Sequence, residues 1–111
     1  MGRGNLLLQV LNDCLSARVD VEFLVDAGDM RAQILQVAEN LRISLKAAGA
    51  SFKDLVKTTT YVTAIDEFFK HPDARSAIFG ESYPTSTTVE VRRLAQPELM
   101  VEIEVVAMVD E

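Results

Sequence analysis

The C-terminal quarter of the chain carries the pattern that most restricts its fold. Val101, Ile103, Val105 and Ala107 alternate with Glu102, Glu104 and Val106, and just upstream Val89 and Val91 alternate with Ser86, Thr88, Glu90 and Arg92. A repeat of two residues suits a β-strand with one buried face, not a helix. Pro97 lies between the two runs, so residues 83–109 read as two strands around a turn. A connection at 95–99 brings like faces together and sets Arg92 opposite Glu102 and Glu90 near Glu104. A connection one residue shorter would turn Glu102 in among the valines, where an unpaired carboxylate is costly. The polar face then needs solvent, a ligand or a partner subunit.

Residues 29–48 give the clearest helix signal. Ile34, Val37, Ala38, Leu41, Leu45 and Ala48 recur at three-to-four spacing, forming one stripe. Asp29 is placed to cap the start and Gly49 to end the helix in the left-handed conformation. Arg31, Glu39, Arg42 and Lys46 form its solvated face. Residues 54–64 are β-branched and aromatic and predict a strand. Pro72 suits the first turn of a helix over 72–79, with Ala74, Ile78 and Phe79 on one face, Gly80 as its stop and a helical turn at 66–70 before it. Residues 1–27 fit two patterns. Leu7, Val10, Leu11, Cys14, Leu15 and Val19 match a helix, whereas 6–10 and 19–25 each match a strand, which we favour. The order is then ββαβαββ, an α+β fold with two helices on one face of a mixed sheet.

Composition removes several function classes. The 111 residues are 49% hydrophobic, enough for one domain over 1–111 with a real core. A net charge of −6, with basic residues scattered except for Arg92-Arg93, opposes nucleic-acid binding and anionic membranes. Lone Cys14 and lone His71 leave no disulfide and no metal site, and no cofactor motif is present. Leu6-Leu7-Leu8 is followed too soon by Asn12, Asp13 and Arg18 for a membrane span, and no small-residue cleavage site follows. A cytoplasmic protein is expected.

From Gly28 onward the chain resembles the YjgF/L-PSP (Rid) family. The residues that carry the resemblance are Gln33 to Leu41 in the helix, Ala47-Ala48-Gly49-Ala50-Ser51, Asp54 to Thr59, Tyr61-Val62-Thr63, Tyr83-Pro84, Thr88-Val89-Glu90-Val91, Leu94 and Val101-Glu102-Ile103-Glu104. They cover 28–109 in order; 1–27 diverge. The resemblance implies a chorismate-mutase-like sandwich assembled as a homotrimer, with ligand clefts at the subunit boundaries and, in several members, hydrolysis of enamines and imines. It further implies that Glu102 positions the hydrolytic water, that Thr88 stands at the cleft cysteine, and that Ser86 stands where active deaminases carry an arginine that binds the substrate carboxylate.

A serine offers one neutral hydrogen bond where arginine offers a doubly bonding cation. Arg92 lies six residues further along, about 20 Å by strand rise, too far to substitute within one subunit. Two readings follow. One is a Rid homotrimer that binds a small metabolite between subunits and hydrolyses an enamine or imine through Glu102, with Ser86, Thr88, Tyr83 and Arg92 contacting ligand. The other is a non-catalytic ligand-binding or regulatory trimer. The bland alternatives are a strand Glu102 paired with Arg92, locally satisfied Ser86 and Thr88, and Tyr83 packed on Phe79. His71 reads as a capping or surface residue. The endoribonuclease label used within the family gains little from an acidic chain without a histidine pair or basic groove.

Overall fold

In the computed structural model, residues 5–13, 28–80 and 82–110 are described. Their elements run β1 (Asn5–Asp13), α1 (Met30–Ala47), a 3-10 turn (Phe52–Asp54), β2 (Leu55–Val62), α2 (Ile65–Phe69), α3 (Pro72–Phe79), β3 (Thr85–Glu90) and β4 (Val101–Asp110). The expected strand over 6–10 falls within β1; the one over 19–25 lies outside the described residues.

The helix signals translate closely into structure. Asp29 caps α1, its Oδ1 accepting from Ala32 N at 3.0 Å, and Gly49 adopts φ 83° just beyond the helix, where a Cβ would be strained. Met30, Ile34, Val37, Ala38, Leu41 and Leu45 are buried; Ala48, expected on that stripe, is the exposed C-cap residue. Pro72 opens α3 and Gly80 closes it. The expected turn at 66–70 is a separate short helix, α2, so the described residues contain three helices where two were expected. Phe68 from α2 and Ala74 and Ile78 from α3 join the same core.

The four strands form one sheet in the order β1–β4–β2–β3. Here the structure corrects the expected C-terminal pairing. β3 does not pair with β4; it lies parallel to β2 at the sheet edge, while β4 runs antiparallel between β1 and β2. Burial explains the arrangement. Val101, Ile103, Val105 and Ala107 are all buried, and burying each large aliphatic side chain is worth about 1.5–3 kcal/mol, which favours a central strand. β3 holds five polar residues and Val89, which suits an edge. Arg92 is therefore not opposite Glu102, and Glu90 is not near Glu104.

Two features hold this topology. A bulge between Leu55 and Lys57 lets Leu55 share the buried face with Thr58, Thr60 and Val62. Gln33 joins α1 to the entry of β4. Its amide Nε2 donates to Glu98 O at 2.9 Å, and its Oε1 accepts from Met100 N at 2.8 Å. The side chain is 0% exposed, so both ends of a buried amide are satisfied.

Candidate functional site

The two faces of the sheet are set by register. Thr58 pairs with Val105 and Thr60 with Ile103, so β2 presents these threonines on the buried, helix-covered face. Across the other edge of β2, Thr58 pairs with Ser86, Thr60 with Thr88 and Val62 with Glu90. Ser86, Thr88 and Glu90 therefore project to the helix side. Glu102 pairs with Tyr61 and Glu104 with Thr59; Thr59 and Tyr61 in turn pair with Thr87 and Val89. These form the opposite, open face.

The polar face expected from the sequence is thus divided between the two sides of one sheet. Glu102 is half-buried on the central strand, beside Tyr61 and with Glu104 two residues on, a carboxylate pair on a face no described helix covers. Ser86 and Thr88 lie two strands away, roughly 10 Å at the usual strand spacing, and on the other side. Within one subunit the structure does not bring Ser86 and Glu102 together. Even parity would unite the two polar faces in a hairpin, but here β2, not β4, sets the register of β3.

Ser86 Oγ accepts from Thr58 Oγ1 at 2.8 Å and donates to Pro84 O at 3.2 Å, so its single proton is directed to the backbone. Thr88 is half-buried beside buried Thr60. Glu90 Oε1 accepts from Ile65 N at 3.0 Å and satisfies the first turn of α2. Arg92 is exposed just past the end of β3. Tyr83 is 86% exposed and does not pack on Phe79; its backbone has φ 50°, a left-handed conformation costly for a residue with a Cβ. His71 occupies the N-cap position of α3 without a side-chain cap bond.

Sequence reasoning gave Thr58 and Gln33 no role of their own. Thr58 is buried and holds Ser86 in place. Gln33 sits between Met30 and Val37 on the apolar stripe of α1, and a polar residue there was the available signal. No grouping of His, Cys, Asp and Glu suited to a metal occurs among the described residues, and none of their helices is long and apolar enough to cross a membrane.

Comparison with known proteins agrees with this architecture. The family described as Endoribonuclease L-PSP matches residues 16–109. A RutC family protein of Pyrococcus horikoshii is 40% identical over 80 residues, covering 72% of this chain and 63% of that protein; the chain therefore spans less than two thirds of that relative's length. A 2-iminobutanoate/2-iminopropanoate deaminase of Salmonella typhimurium is 35% identical over 85 residues, covering 74% of this chain and 66% of the enzyme. Among solved structures, the Rid family protein YyfA of Yersinia pestis superposes with a TM-score of 0.79 at 32% identity, over 93% of this chain and 80% of that one. A YjgF/YER057c/UK114 family member from Mycobacterium tuberculosis gives 0.69 at 36% identity, over 76% and 71%. With the chorismate-mutase-like layering of helices on a mixed sheet and a match over most of its length, the chain belongs to the YjgF/L-PSP (Rid) family.

Proposed function

We propose that this chain assembles as a homotrimer through the open face of its sheet. In that assembly it binds a small metabolite at the subunit boundaries and hydrolyses an enamine or imine to a carbonyl compound and ammonia. The observation that carries the reading is Glu102, a half-buried carboxylate on the uncovered face of the central strand, in a chain 35% identical to a 2-iminobutanoate/2-iminopropanoate deaminase. There Glu102 takes a proton from water as the water adds to the imine carbon, and returns it to the departing nitrogen. Because Ser86 and Thr88 lie on the other side of the sheet from Glu102, a cleft containing all three takes the hydroxyls from one subunit and the carboxylate from its neighbour. Tyr83 and Arg92, both exposed near the ends of β3, are then available to the rim. The setting is the cytoplasm, and no nucleic acid is involved.

The test follows keto-acid and ammonia release from a freshly generated 2-imino acid. Release above buffer that falls at least tenfold in Glu102→Gln supports the reading; rates equal to buffer for both proteins remove it. The hydrogen bonds of Ser86 favour a second reading. With its proton directed to Pro84 O, Ser86 is a poor donor to a carboxylate, which suits ligand binding without turnover. Saturable binding from a metabolite panel with no product release would select that alternative.

A further inference from the structure

The corner between α2 and α3 holds a cation with no described counter-charge. Arg75 extends from α3 across two aromatic rings, its guanidinium carbon 5.1 Å from the Phe68 ring centre and 4.5 Å from that of Phe69. The rings meet edge to face, 5.4 Å apart. Arg75 Nε is sealed from solvent without a hydrogen-bond partner, and no described carboxylate pairs with this side chain. The cations nearby are matched: Arg31 bonds Asp73 at 2.6 Å and Lys70 bonds Glu67 at 2.8 Å. Burial lowers the pKa of Arg75 from its ordinary value, yet a guanidinium stays charged in any aqueous condition a protein survives. The ring contacts return about 0.5–1 kcal/mol each and leave the Nε–H without an acceptor.

Beside Arg75 lies an open concavity of about 210 Å³ lined by Pro72, Arg75, Ser76, Phe79 and Gly80, the volume of roughly seven waters. The Ser76 hydroxyl donates to Asp73 O at 2.8 Å, and Gly80 N donates to Ser76 O at 3.1 Å. That leaves the guanidinium as the one uncommitted donor group among the lining side chains. Pro72 and Phe79 supply apolar walls. Gly80 borders the space without a side chain of its own, and a Cβ there would come within 2.7 Å of Ser76 O.

We propose that this concavity is a binding site for a small monocarboxylate with a short apolar body. The carboxylate accepts two parallel hydrogen bonds from Arg75, and the hydrocarbon lies against Pro72 and Phe79. A guanidinium held within 5.1 Å of two ring centres has part of its freedom removed before a ligand arrives, so less side-chain entropy is lost on binding. The site is built by α3, apart from the strands that carry Glu102 and Ser86, and stands whether or not the sheet is catalytic.

The test is a nuclear magnetic resonance titration of the full-length, nitrogen-labelled chain with 4-methylpentanoate and, separately, its neutral amide. The Arg75 Nε–H and the Ser76 and Gly80 amides should shift saturably with the acid and at least tenfold more weakly with the amide. Arg75→Gln should abolish the response, and Arg75→Lys, which keeps charge without the fork, should weaken it several-fold. Should Arg75→Gln fail to fold, the acid–amide contrast and the lysine variant still decide. Absence of a saturable shift up to tens of millimolar acid would overturn the proposal. So would equal response to acid and amide, equal response to inorganic phosphate, or shifts confined to β3 and β4.

Discussion

At the scale of single residues, Ser86 bears on the proposed chemistry and Gln33 on the fold. The family resemblance implies that Ser86 occupies the position of the arginine of active deaminases; here its hydroxyl bonds Thr58 and Pro84. Replacing it tests both points. Ser86→Arg should raise hydrolysis of a 2-imino acid at least tenfold, read as keto-acid release. It should also cost about 1–3 kcal/mol in urea unfolding, because buried Thr58 loses its acceptor. Gln33 is the structural counterpart. Gln33→Leu fills the space but strands Glu98 O and Met100 N, and a loss of roughly 2 kcal/mol is expected from one or two unsatisfied groups. Little change in the urea midpoint would mean that the link between α1 and β4 is incidental. The partners of these two side chains were not legible in the sequence, since hydrogen bonds spanning 28 and 65 residues leave no local pattern.

Among the elements, periodicity and caps were readable and strand pairing was not. Asp29, the α1 stripe, Gly49 and Pro72 each act within a few residues of themselves, so their signals survive in the sequence. The partner of β3 is a tertiary choice. The expected hairpin had correct parity and lost to a competing term, the burial of four β4 side chains at the centre of the sheet. That one change split the expected polar face and moved Ser86 away from Glu102. The helix layer also carries a pH-dependent contact. Asp73 has its pKa lowered from 3.8, chiefly by the hydrogen bond from Arg31. Its stabilisation is present above the ordinary aspartate value and disappears as pH falls through the lower folded one. Asp73→Asn should therefore reduce the urea midpoint slightly at neutral pH, the pair being exposed, and match the parent protein in acid. An equal deficit at both pH values would show that the charge is not the cause.

For the whole molecule, the open face of the sheet is the outstanding feature. Val89, Met108 and bulged Val56 are exposed hydrophobics on the sheet strands, and Glu102 and Glu104 lie half-buried on its uncovered side. A monomer would leave apolar and acidic groups together in water, and a surface mixing the two fits an assembly interface better than free solvent. Family membership was legible from ordered motifs between Gly28 and Val109. The separation of the hydroxyls from Glu102 was not, and it makes assembly central to the proposed function, which needs neighbouring subunits to unite them. Light scattering on the purified chain in dilute solution tests this most directly. We predict a mass of three times 12.3 kDa, whereas a particle of 12.3 kDa at tens of micromolar would contradict it.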